Sequence, residues 1–132
     1  MYLGMLSSEE KDLFLQLAIS IASVDGDYND VEKTMINSYC IEMGVNNSVE
    51  KEKSISSIIE RFSIISTEQT KKIVLFEAIG LALSDRNYDK KEEKTIIDIA
   101  KTFNIDIQFV EESKKIVNEY FDFQQRINDL VL

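Results

Sequence analysis

With 132 residues, 44% of them hydrophobic, the chain suffices for one domain built on a single core. Its 24 acidic against 15 basic residues leave a net charge of -9, which argues against the basic patch that duplex nucleic acid or an anionic membrane requires. Histidine is absent and Cys40 is the only cysteine, which excludes an intramolecular disulfide, a Cys-rich zinc site and most histidine-based catalysis.

No proline and only four glycines interrupt the chain, a composition that favours helix over sheet. Residues 1–6 are apolar but carry no basic leader, so neither a signal peptide nor an anchor is expected there. Ser7 and Glu10 form a capping box, and Leu13, Phe14, Leu17, Ala18, Ile21 and Ala22 recur at helical spacing up to a turn at Asp25-Gly26. A second helix opens at Asn29, with Glu32 as box partner, and closes at Gly44. Cys40, behind Ile36 and Tyr39 on that helix, reads as a small buried filler without a base to activate it.

Ser48 or Ser54 caps a shorter third helix carrying Ile55, Ile58, Ile59 and Phe62. Ser66 with Gln69 is a further box, and it launches a helix whose later part, 73–83, is apolar on nearly every side. That run is too short for the ~20 residues that cross a bilayer, so no membrane insertion and a cytoplasmic location are expected. Asp89 with Glu92 repeats the box before Ile96, Ile97, Ile99 and Ala100, and Asn104 suits a left-handed terminal position. The last helix runs from Asp106 to Leu132, with a bend expected near 118–122.

Laid over itself with a shift of 60, the chain matches Ala18 to Ala78, Ile19 to Ile79, Ala22 to Ala82, Asp25 to Asp85, Tyr28 to Tyr88, Glu32 to Glu92 and Ile36 to Ile96. Such a set marks a duplicated helix-loop-helix unit, with halves at about 7–45 and 66–105 followed by a helix at 106–132. Small residues one turn apart, Ala18 with Ala22 and Ala78 with Ala82, let two helix axes approach closely, so the first helix should pack against that of 73–83. The expected fold is therefore a single all-α domain, a helical bundle of about six to seven helices in two pseudo-repeated halves.

The segment Ala22-Ser23-Val24-Asp25-Gly26-Asp27-Tyr28-Asn29-Asp30-Val31-Glu32 resembles the TerB-like (tellurite-resistance B) family, in which an alanine-rich helix enters an Asp-Gly turn with a glutamate seven residues after the aspartate. Its copy begins at Ala82 and ends at Glu92, with Arg86 where the first has Gly26. The resemblance covers about residues 13–109. It implies an all-helical bacterial accessory or scaffolding module linked to tellurite resistance, stress responses and phage defence, without catalysis. It also implies an interest in divalent metal at Asp25, Glu32, Asp85 and Glu92.

Read from the residues, Asp25, Asp27 and Asn29, and likewise Asp85, Asn87 and Asp89, match the first three ligands of a calcium loop. The match ends there, since Asp30 or Lys90 stands at the glycine position and Ile36 or Ile96 at the bidentate glutamate. An oxygen site for Ca²⁺ or Mg²⁺ from Asp25, Asp27, Glu32, Asp85, Asn87 and Glu92 is one reading. The simpler one has Asp25 and Asp85 in Asx turns and Glu32 and Glu92 completing capping boxes. Tyr28 and Tyr88 should staple the turns onto the core.

Glu77, the odd polar residue on an apolar helix, is expected at an exposed edge beside a lysine instead of buried; convergence with a second carboxylate in one cleft would instead suggest acid-base chemistry. The run Lys90 to Lys94 reads as a solvated first turn. Phe121, Phe123, Ile127, Leu130 and Val131 exceed the needs of one helix face, which points to a lid on the core or to a homodimer through the C-terminal helix. A protein partner meeting an acidic face is the leading functional expectation, and a divalent-cation sensor or buffer the alternative.

Overall fold

The computed structural model describes residues 1–24, 29–47, 53–86 and 88–132. A 3-10 turn at Leu3–Met5, which the sequence patterns do not announce, precedes six α-helices: α1 (Ser8–Ala22), α2 (Asp30–Met43), α3 (Ile55–Ile65), α4 (Glu68–Leu83), α5 (Lys90–Thr102) and α6 (Ile107–Val131). No strand occurs among the described residues.

Three capping boxes start helices as expected, Ser7 with Glu10, Asn29 with Glu32 and Asp89 with Glu92, each using a side chain to satisfy amides that the first turn leaves unpaired. At α4 the cap is Thr67, accepting from the Thr70 amide, and not Ser66. Ser66 instead ends α3 and donates its hydroxyl to Glu10 Oε2 at 2.6 Å, tying the start of α4 to that of α1. Ser48, the other cap considered for α3, lies outside the described residues, and Ser54 does the capping.

The duplication extends to individual hydrogen bonds. α2 ends on Gly44 at φ 69° and α5 is followed by Asn104 at φ 56°, both left-handed. The Val45 amide donates to the Cys40 carbonyl at 3.0 Å, and its counterpart Ile105 donates to Ala100 at 2.9 Å. This six-to-one closure needs a left-handed residue, which glycine adopts freely and asparagine at small cost. Arg86, which corresponds to Gly26 at the shift of 60, sits at φ 62°, a left-handed conformation that glycine adopts most freely.

Small residues position the two halves. α1 packs on α4, and Ala18, Ala22, Ala78 and Ala82 are all buried at 0–1% exposure. α2 covers α1, α5 covers α4, and α3 bridges α1 and α5. The core is closed by edge-to-face pairs, Phe14 on Tyr39 at 5.4 Å and Phe62 on Phe103 at 6.1 Å. α6 lies on α4 and α5 as one continuous helix through residues 118–122. Its carbonyl ladder is uninterrupted because neither proline nor glycine falls within it.

Candidate functional site

Of the six residues proposed to hold a cation, Asp25, Asp27 and Asn87 lie outside the described residues, as does Tyr28. Glu32 and Glu92 are each 3% exposed, deeper than a surface ligand needs to be. Each carboxylate accepts the backbone amide of its own cap, Asn29 or Asp89, at 3.4 Å, while its own amide donates back to the cap side chain at 2.9 or 2.8 Å. Asp85 has another role that the spacing does not reveal: its Oδ2 accepts the Asn29 side-chain amide at 2.7 Å. The start of α2 is thereby joined to the turn after α4.

A divalent cation at this junction would draw on oxygens that already accept amide protons. Among the described residues, no group of three or more acidic or cysteine side chains is gathered to hold one. In the structure Glu32 and Glu92 each complete the capping box of the helix that follows.

Beside the second turn, Tyr88 is half-buried against the core and its hydroxyl donates to Glu93 Oε2, so this tyrosine is a staple, as its position suggested. Lys114 on α6 reaches the same oxygen at 2.7 Å and lies 5.1 Å from the Tyr88 ring centroid. Burial and the adjacent Glu93 charge hold the Tyr88 hydroxyl well above its usual pKa. Burial would raise the Glu93 carboxyl, but the hydrogen bonds from Lys114 and Tyr88 outweigh it and bring its pKa below the ordinary value. The cluster fastens α6 to the start of α5.

A cleft of about 410 Å³ lies between α2, α4 and α6. Met35, Phe76, Ile116 and Tyr120 supply apolar wall, and Glu42 and Glu77 stand at its acidic end. Glu77 is 8% exposed, so the edge position beside a lysine is corrected. The helix on which it sits is covered on nearly every side, and its partner comes from outside the helix: Glu77 Oε1 lies 2.6 Å from the Met1 α-ammonium. Glu42 shares that ammonium at 3.2 Å and accepts the Leu3 amide at 2.7 Å. Burial lowers the affinity of the α-amine for its proton, yet the bonds and charges of Glu77 and Glu42 more than compensate, and its pKa stands above 8.0.

Two carboxylates thus converge on one cleft, which is the geometry that acid-base chemistry would need, but both are engaged by a single ammonium. Tyr39, buried beneath them, donates its hydroxyl to the Glu77 carbonyl at 3.3 Å, and burial with the neighbouring negative charges pushes its pKa far up. Cys40 is buried and its thiol pKa raised by that burial, so it has the character of packing and not of a nucleophile. The Met1 pairing was not legible beforehand, because a chain terminus carries no pattern. No helix among the described residues is long and apolar enough to cross a membrane.

No family model and no curated protein matches the sequence. Among solved structures, the chain is similar to a tellurite resistance protein from Nostoc punctiforme, with a TM-score of 0.70 at 18% identity over 96% of this chain and 82% of the other. At that identity the likeness is one of fold: the chain is an all-α bundle with a TerB-like fold.

Proposed function

We propose that the chain is a non-enzymatic TerB-like accessory module of a bacterial stress response, of the tellurite-resistance or phage-defence type, acting in the cytoplasm by contact with other proteins. The observation that carries this reading is the likeness of fold, nearly end to end, to a protein named for tellurite resistance. Its chemistry fits an interaction role: the chain has no histidine, its thiol is buried, and its cleft carboxylates are held by an ammonium. A net charge of -9 favours basic protein surfaces over nucleic acid.

The test is deletion in the native cell, followed by growth on tellurite and under phage challenge. Complementation by wild type, and its loss with Phe76→Glu in the cleft wall, is the expected result. Unchanged tolerance to both challenges after deletion would overturn the assignment, and turnover of any substrate by the purified chain would overturn its non-enzymatic part.

A second reading, a Ca²⁺ or Mg²⁺ sensor or buffer, is favoured by the bond between Asn29 and Asp85, which joins the start of α2 to an acidic residue of the turn after α4. Calorimetric titration with both ions checks it. Heat that disappears in an Asp25→Ala, Asp85→Ala double variant supports it; no heat and no melting shift at millimolar metal would remove it.

A further inference from the structure

α6 serves the body with one face and leaves a second, ordered face without a partner. Val110, Ser113 and Val117 are buried and Phe121 packs on the core, whereas from Asn118 onward every residue except Phe121 is exposed. Along the flank run Ile116, Tyr120, Phe123, Ile127 and Leu130, all exposed. Their separations alternate four, three, four, three, which is the spacing of the two seam positions of a coiled coil. At ~100° per residue this stripe is turned about a quarter of the circumference from the core face, with Ile116 and Tyr120 also bordering the cleft between α2, α4 and α6. A seam of this kind is complete only against another helix.

The charges beside the seam select that helix. Glu119 and Arg126 each immediately precede a seam residue, Tyr120 and Ile127, and so occupy equivalent flanking positions. They are seven residues apart on one helix, about 10 Å along its axis, too far to pair with each other. When a second copy is laid antiparallel, Ile116 meets Ile127 of the partner copy and Tyr120 meets Phe123 of the partner copy. Glu119 then faces Arg126 of the partner copy, and the twofold axis makes that ion pair twice. A parallel copy would instead set Glu119 beside Gln124 and Arg126 beside Val131, forming no ion pair. The antiparallel arrangement also sends two bodies of charge -9 to opposite ends of the seam. A bilayer surface is a poor occupant, because α6 carries five acidic residues against three basic ones and so lacks the cationic face such binding uses.

We propose that a second copy of this chain docks antiparallel along the Ile116, Tyr120, Phe123, Ile127 and Leu130 stripe of α6, with its register fixed by reciprocal Glu119 and Arg126 pairs. This self-association does not depend on the stress-response reading above, and deletion phenotypes leave it untouched.

Sedimentation equilibrium of the 132-residue chain from micromolar to millimolar concentration is the test. The mass should rise from 15.2 kDa towards twice that value. Glu119→Arg and Arg126→Glu should each weaken association by about tenfold or more, and the two together should restore it, while melting at low concentration stays the same because both side chains are exposed. A wild type that stays monomeric at millimolar concentration overturns the proposal. So do single charge reversals without effect, or a folded double variant that fails to recover. Cosedimentation of the monomer with phosphatidylglycerol vesicles, lost in Phe123→Glu, would give the stripe to membrane and equally overturn it.

Discussion

The side-chain amide of Asn29 donates to Asp85 Oδ2 across 2.7 Å, joining the start of α2 to a residue 56 positions on, in the turn after α4. The same Asn29 caps α2 through its Oδ1, so one side chain both starts a helix and ties the two halves together. Asn29→Ala should lose the cap and the bond at once, at about 1 to 3 kcal/mol in urea unfolding. Asn29→Ser keeps a cap but cannot reach across, and should retain roughly half of the stability lost by alanine. Asn29→Asp also keeps the cap but sets two carboxylates face to face, and should be less stable than Asn29→Ser.

The contact of α1 with α4 depends on small side chains. Ala22→Leu or Ala82→Leu inserts bulk where both alanines are fully buried, and each should destabilise by about 1 to 3 kcal/mol, read as a lower denaturation midpoint. Wild-type stability in either variant would mean that the helices do not meet along these residues.

Gly80 is small for no steric reason, since a Cβ there would meet nothing within 4 Å. Gly80→Ala should therefore stabilise α4 by about 0.5 to 1 kcal/mol through helix propensity alone. The substitution also narrows the cleft between α2, α4 and α6, so a gain in melting temperature together with a failure to complement the deletion strain would separate the fold from the function of that cleft.

The Met1 ammonium makes stability depend on pH in the alkaline range. Its pKa is raised in the folded chain above the 8.0 of a free terminus, so its contribution is complete below pH 8 and is lost as pH rises through the folded value. Thermal melts of the chain with a free α-amine should decline from about pH 8 upward, and N-terminal acetylation or Glu77→Gln should flatten that decline. An identical alkaline slope in all three would place the titrating group elsewhere.

Much of this architecture was legible because local rules and the repeat agreed. The boxes at Ser7, Asn29 and Asp89, the left-handed Gly44 and Asn104, and the alanines facing across the two halves follow from residue type and spacing alone. Ser66 misled because Thr67 beside it is an equally good cap, and the choice was made by a tertiary bond to Glu10 that no local pattern encodes. Glu77 misled for a related reason: burial was judged without its partner, a terminal ammonium brought in by the turn at Leu3–Met5. Asp85 stands out in the sequence for its charge and Asn29 as a cap and a calcium-loop position, and the bond between them joins residues 56 positions apart that no local pattern relates.

Native-state hydrogen exchange tests the central claim, that two copies of one helical hairpin share a single core. Amides in α1 at residues 13–22 and in α4 at residues 74–83 should exchange only through global unfolding, with one opening free energy and one dependence on denaturant. If one hairpin opens at markedly lower free energy and with a smaller denaturant slope than the other, the halves are separate cooperative units and the account is contradicted.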